Sequence, residues 1–180
     1  MSARSQLPIG IQTFAKLREE DCYYVDNPPW IAQLAKGDAA LQAHFARLFA
    51  SIPHDWYRNN PIARYEGYFA SVCYSHLASL GVEIIAEDVM NEGQCDLTVK
   101  HGGTAWVFEF KVVDDTHEAS QGTNSALAQL QARDYAAKYR GTPGIEQVIE
   151  VGVEFSHKAR RIVSWQTKSS TFSSSQSHKV

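Results

Sequence analysis

Three features of the chain predict an α/β fold with a central mixed sheet flanked by helices: an alternating two-armed segment over residues 94–114, a helix-forming stretch before it at 61–80, and another after it at 119–140. In a strand, side chains alternate between faces. Cys95, Leu97 and Val99 therefore share one face of the first arm, and Gln94, Asp96, Thr98 and Lys100 share the other. His101-Gly102-Gly103 supplies the turn. On the return arm Trp106, Phe108, Phe110 and Val112 form an apolar face, which leaves Val107, Glu109 and Lys111 pointing the opposite way. Two carboxylates and an ammonium, Asp96, Glu109 and Lys111, converge on an otherwise apolar hairpin.

The elements follow in order. Leu41, Phe45, Leu48 and Phe49 recur at helical spacing over 41–50, which predicts a short helix packed on the core. Pro61 suits the first position of the next helix, and Gly81 after Leu80 suits its end. Phe69, Val72, Cys73, His76, Leu77 and Leu80 make the buried stripe of that helix. Glu66 lies on or beside the stripe, where an unpaired carboxylate is costly, so it is either a functional acid or the partner of a base such as Arg64 or Arg133. VEIIAEDV at 82–89 reads as the first strand, closed by Glu87 and Asp88, which either add charge behind the candidate site or, as the preferred reading, form a solvated strand end. The helix at 119–140 lacks proline, is rich in Ala, Leu and Gln, and ends at Gly141 after Lys138 and Arg140, whose charges suit a helix C-terminus. Its tyrosines, Tyr135 and Tyr139, fit core packing, and Lys138 fits solvent. A strand over 145–155 and an edge strand over 160–165 complete the sheet. Residues 168–180 are read as a disordered tail, because the run from Ser169 to Ser177 carries too little apolar surface to fold.

Composition narrows the classes. The chain has 180 residues, 44% of them hydrophobic, enough for one core. No apolar run approaches the roughly 18 residues of a membrane span, and no charged-then-apolar signal segment opens the chain, so the cytoplasm is the expected location and no membrane partner is expected. Cys22, Cys73 and Cys95 have no CxxC spacing and read as free, buried thiols. The seven histidines, His54, His76, His101, His117 and His157 among them, show no zinc-ligand spacing. A net charge of −3 offers no global attraction for nucleic acid, so any contact must come from local bases such as the cluster His157, Lys158, Arg160 and Arg161.

Asp96, followed after the hairpin by Glu109-Phe110-Lys111, resembles the D…ExK pattern of the PD-(D/E)xK nuclease superfamily. The spacing alone also fits a sheet face on which Glu109 and Lys111 simply meet solvent. YEGYFASVCYSHLASLGVEIIAEDV at 65–89 and ALAQLQARDYAAKYRG at 126–141 resemble one bacterial and archaeal branch of that superfamily, in which the nuclease-like domain follows an AAA-ATPase-like domain. The resemblance covers about residues 40–167 and implies a restriction-endonuclease-like αβββαβ core. It implies that Asp96 and Glu109 bind Mg²⁺ or Mn²⁺, with the Phe110 carbonyl as a third oxygen, and that Lys111 assists hydrolysis of a phosphodiester in nucleic acid, DNA foremost. It further implies that Glu66 faces the metal site through water and that Gln129 orients a phosphate or a metal-bound water. These types suit the chemistry: hard cations prefer oxygen ligands, commonly one or two carboxylates with water and substrate phosphate, and an ammonium adds electrostatic stabilisation.

LPIGIQTFAKLREEDCYYVDN at 7–27 resembles the opening of the ATPase-like part, yet no GxxxxGK[ST] occurs to cradle ATP phosphates. Residues 1–36 are thus expected to be a remnant of that domain, joined near 28–36 to a nuclease-like domain at 37–167. Two rival readings stand beside the nuclease: a catalytically idle module that binds nucleic acid or protein, and a folded remnant without function. The discriminator is whether the basic cluster and the metal site face the same groove.

Overall fold

The computed structural model describes residues 38–53, 61–114 and 123–172. Helix α1 (Asp38–Ala50) is followed by a 3₁₀ turn (Pro61–Arg64), helix α2 (Glu66–Ala78) and strands β1 (Glu83–Met90), β2 (Gly93–His101) and β3 (Thr104–Val113). Helix α3 (Ser125–Ala132), a second 3₁₀ segment (Tyr135–Tyr139), β4 (Gln147–Ser156) and β5 (Arg161–Thr171) complete the order. The five strands lie side by side in chain order. Only β3 and β4 run parallel, joined by the crossover that carries α3; the other neighbours are antiparallel. This is the mixed sheet flanked by helices that the sequence predicts.

The turn between β2 and β3 falls where His101-Gly102-Gly103 places it. Gly102 and Gly103 both have positive φ, 54° and 77°, the backbone that a two-residue hairpin with right-handed strand twist requires. The return arm alternates as read. Trp106, Phe108 and Phe110 pack on one side with Phe69, Cys73 and Leu77 of α2 and Leu41, Phe45 and Phe49 of α1. Ala105 and Val107 pack on the other side with Leu127 and Leu130 of α3 and with Tyr135 and Tyr139. Asp38 fastens the start of α1 to β5, accepting hydrogen bonds from Trp165 Nε1 (2.6 Å) and Thr167 Oγ1 (2.7 Å).

The structure corrects several boundaries. The stretch 61–80 is two pieces, because Tyr65 is extended (φ −103°, ψ 125°) between the 3₁₀ turn and α2. The stretch 119–140 is also broken: α3 ends at Ala132, and Asp134 takes a left-handed conformation (φ 46°, ψ 43°) before the second 3₁₀ segment. Residues 119–122 lie outside the described residues, as do Cys22 and the ATPase-like opening. The edge strand reaches Thr171, four residues into the supposed tail, with Lys168 opposite Glu150, Ser169 opposite Ile149, Ser170 opposite Val148 and Thr171 opposite Gln147. Composition misled there because an edge strand is held by main-chain bonds to its neighbour, which polar side chains do not forbid.

Cys73 and Cys95 are both free and buried, as expected. Burial pushes both thiols up, Cys95 to about 12, so neither is a reactive thiolate. Cys95, however, does not share the face of Leu97 and Val99; it packs with Ala105 and Val107 on the α3 side. The alternation of β2 is therefore interrupted at Asp96.

Candidate active site

The interruption opens the site. The β2–β3 ladder ends at Leu97 opposite Phe108, while β3 continues to Val113. The Phe110 N–H that would bond a β2 carbonyl instead donates to Asp96 Oδ2 at 2.7 Å. Asp96 is thereby fixed in the gap between the strands.

Glu109 follows on the α3 side of β3 and is only 3% exposed. Its Oε1 accepts a hydrogen bond from Gln129 Nε2, which α3 presents, and its Oε2 is buried with no hydrogen-bond partner. Lys111, two residues on, reaches Glu109 Oε1 at 3.3 Å and Glu66 Oε2 at 3.5 Å. Glu66 stands at the first position of α2 and its Oε1 also accepts from the Val112 N–H at 3.4 Å. The base paired with Glu66 is therefore Lys111, rather than Arg64 or Arg133. Glu66, Glu109, Lys111 and Gln129 are linked through these contacts, and Asp96, held by the Phe110 amide, joins them through electrostatic interaction with Lys111, Glu66 and Glu109.

Charge in the cluster is unbalanced toward the acids. Burial pushes the Glu109 carboxyl up to about 7, the negative charge of Asp96 adds to that, and Lys111 opposes it. Burial also raises Asp96, against the Phe110 N–H and Lys111, which favour its ionised form. For Lys111, burial favours the neutral amine, but Glu109, Glu66 and Asp96 outweigh it and hold the ammonium above the ordinary lysine range. At neutral pH the site thus holds a secure cation beside a carboxyl poised between its two forms.

The donor set fits a hard divalent cation. Glu109 Oε2 is a buried oxygen without a donor, and the Asp96 carboxylate is its close electrostatic neighbour. Two carboxylates match the donor set of an ion that keeps much of its water, and among the described residues no group of three or more His, Cys, Asp or Glu side chains is placed to hold a metal ion.

Sequence reasoning missed three polar features. Asp88, read as a solvated strand end, is 1% exposed and accepts hydrogen bonds from Thr98 Oγ1 (2.8 Å), Tyr139 Oη and Lys138 Nζ. Lys138 is correspondingly engaged with Asp88 and with the Val89 carbonyl (3.1 Å), not merely solvated. Glu87 is exposed, as read. Asn124 caps α3, accepting from Leu127 N at 2.7 Å and donating to the Gly152 carbonyl at 3.1 Å. His44 and His76 stack on α1 and α2 with their Nε2 atoms 2.7 Å apart. The one local signal was Asn124 three residues before Leu127 at the start of an apolar run, a helix-cap pattern; the other pairs are too far apart in sequence to be seen.

Comparison with known proteins agrees with this fold. Residues 64–165 match the family model of the PD-(D/E)XK nuclease superfamily. Residues 8–47 match a family described as "Predicted AAA-ATPase". The chain is 48% identical over 136 residues to an "Uncharacterized protein in vnfD 5'region" of Azotobacter chroococcum mcd 1, a stretch that is 76% of this chain and 25% of that protein. The chain therefore matches about a quarter of the length of that relative.

Proposed function

Because the chain belongs to the PD-(D/E)XK nuclease superfamily, we propose that it hydrolyses phosphodiester bonds in nucleic acid, DNA foremost, using Mg²⁺ or Mn²⁺ held by Asp96 and Glu109. The observation that carries this reading is Glu109 Oε2, a buried carboxylate oxygen with no donor, set beside a second acid and an ammonium. Such an oxygen is costly unless a proton or a cation satisfies it. A divalent cation at these oxygens would neutralise charge on the phosphate and supply a water of lowered pKa.

The chain's own residues do the rest. The Gln129 amide holds Glu109 Oε1 and so fixes the direction of Oε2. The Phe110 N–H does the same for Asp96, and the Phe110 carbonyl offers a third oxygen. Lys111, kept charged by its acidic neighbours, stabilises the negative charge that builds on the phosphate oxygens as the attacking water adds. Glu66 steadies Lys111 and the Val112 amide from the start of α2.

Two further observations support a nucleic-acid substrate. In the parallel β3–β4 pair Lys111 lies opposite Glu154 and Val113 opposite Ser156, so the turn carrying His157, Lys158 and Arg160 lies at the same end of the sheet as Lys111. His157 Nδ1 lies 3.3 Å from Asp114 Oδ1, just past β3. The basic cluster thus shares the end of the sheet with Lys111, while Arg160 and Arg161 line a pocket with Phe49 and Tyr68 on the α1–α2 side, and bases at this end are consistent with a polyanionic substrate. Among the described residues no helix is long and apolar enough to cross a membrane. The reading takes residues 37–167 as the nuclease domain, 1–36 as part of an ATPase-like domain, and the cytoplasm as the place of action.

Plasmid and single-stranded DNA are incubated with the protein and Mg²⁺ or Mn²⁺, against EDTA and against Lys111→Ala and Asp96→Ala. The expected result is metal-dependent cutting, reduced about 100-fold or more in both variants while circular dichroism shows the fold intact. Cutting undiminished in both variants overturns the site. A folded wild-type protein that cuts nothing leaves a nucleic-acid or protein binding module.

A further inference from the structure

Strands β1 and β2 pair regularly from Glu83 opposite Lys100 to Ala86 opposite Leu97, and again at Asp88 opposite Cys95, with Glu87 and Asp96 left out between. Glu87 there has φ 48°, a conformation that is uncommon outside glycine and that persists only where the surroundings enforce it. The step switches both strands over. Leu97 packs on the α1–α2 side, whereas Cys95 packs with α3. Asp88, two residues after Ala86, likewise meets Thr98 and Tyr139 on the α3 side. Without the step Asp88 would share the face of Ile84 and Leu97, the side of α1 and α2, away from its donors Thr98 and Tyr139.

We propose that Asp88 is a positioning residue for the candidate metal site, acting through this step. Its buried carboxylate, held by Thr98, Tyr139 and Lys138, locks the strand switch that delivers Asp96 into the gap beside Phe110 and Glu109. The three donors come from β2 and from the 3₁₀ segment after α3, so the lock ties the strand bearing Asp96 to the layer bearing Gln129. The inference rests on the metal-dependent reading for its functional consequence and on the Asp96–Phe110 bond for its structural one.

Two readouts on the full chain test it. The first is the exchange rate of the Phe110 amide, which reports the bond to Asp96 and needs no metal. The second is Mn²⁺ affinity from water-proton relaxation. Asp88→Asn is expected to speed Phe110 exchange as far as Asp96→Ala does, and to weaken Mn²⁺ binding about tenfold or more, the usual range for groups that orient metal ligands. Tyr139→Phe and Thr98→Val should each give part of both effects. Phe69→Ala, a destabilising change under α2, should speed the core amides of Val107 and Phe110 alike and leave Mn²⁺ affinity unchanged, whereas Asp88→Asn should speed Phe110 beyond Val107, which separates positioning from loss of stability. Unchanged Phe110 exchange in folded Asp88→Asn overturns the inference; if that variant fails to fold, unchanged exchange in both Tyr139→Phe and Thr98→Val does so. Failure of wild-type protein to bind Mn²⁺ more tightly than Asp96→Ala counts against the metal reading, while the exchange arm still decides the role of Asp88.

Discussion

The two faces of the sheet are built from different chemistry. Under α1 and α2 the packing is aromatic: Phe69 stacks on Phe155 with ring centroids 4.1 Å apart, Phe49 meets Phe155 at 4.9 Å, and Trp165 lies against Phe45 and Phe108. Under α3 the sheet buries Asp88, Thr98 and Glu109, with Asn124 at the helix start and Glu150, which lies opposite Val107 in β4. Glu150 repeats the pattern of Glu109, since burial raises its carboxyl against the pull of Lys168 and Arg140, and its Oε1 has no hydrogen-bond partner. One face supplies cohesion and the other carries the polar groups that cohesion must keep in place.

Four experiments would break or sharpen that contrast. The largest effect belongs to the aromatic face: Phe69→Ala should lower unfolding free energy in urea by about 3–5 kcal/mol. Next comes Glu109, whose carboxyl is raised to about 7 in the fold against 4.5 unfolded. The folded state therefore binds more protons between those values, and stability falls as pH rises through the window. Glu109→Gln should remove this decline and stabilise the metal-free protein by about 3 kcal/mol at pH 8; the same titration makes divalent affinity of the wild type rise with pH up to about 7. His44, third, runs the other way. Burial lowers its pKa to about 4, helped by His76 and Arg47, so the unfolded state binds more protons below 6.5 and stability is lost as pH falls toward 4. His44→Leu should flatten that acid limb, worth about 3 kcal/mol. If both limbs slope the same way, the division of the faces is wrong. The smallest effect is Asn124→Ala, expected to cost about 1 kcal/mol by thermal melting, through the lost cap of α3.

What could be read in advance followed from local periodicity. The alternation of Trp106, Phe108 and Phe110 against Val107, Glu109 and Lys111 is a property of ten consecutive residues, and the fold keeps it. The succession of strands and flanking helices along the chain was legible for the same reason. Asp88 was not, because its burial depends on a step between two strands and on Tyr139, 51 residues away. A strict period of two also put Cys95 on the wrong face, since an inserted step reverses every side chain beyond it. The breaks at Tyr65 and Asp134 were hidden in sequences that contain no glycine or proline at those points. The strand beyond Lys168 was hidden because serine and threonine carry no apolar signal.

Gly152 lies opposite Glu109 in the parallel pair, directly beneath α3. A Cβ built there would come within 2.7 Å of Leu127 Cα, and nearer still to its amide nitrogen and to Asn124 Oδ1. The missing methyl is therefore a spacer of zero thickness: it sets how low the helix rides over the sheet, and with it the reach of the Gln129 amide to Glu109. A side chain at 152 would act as a shim, lifting the helix without touching any charged group. The separation of helix and strand, and so the aim of one carboxylate oxygen, is written at a position that carries no side chain at all.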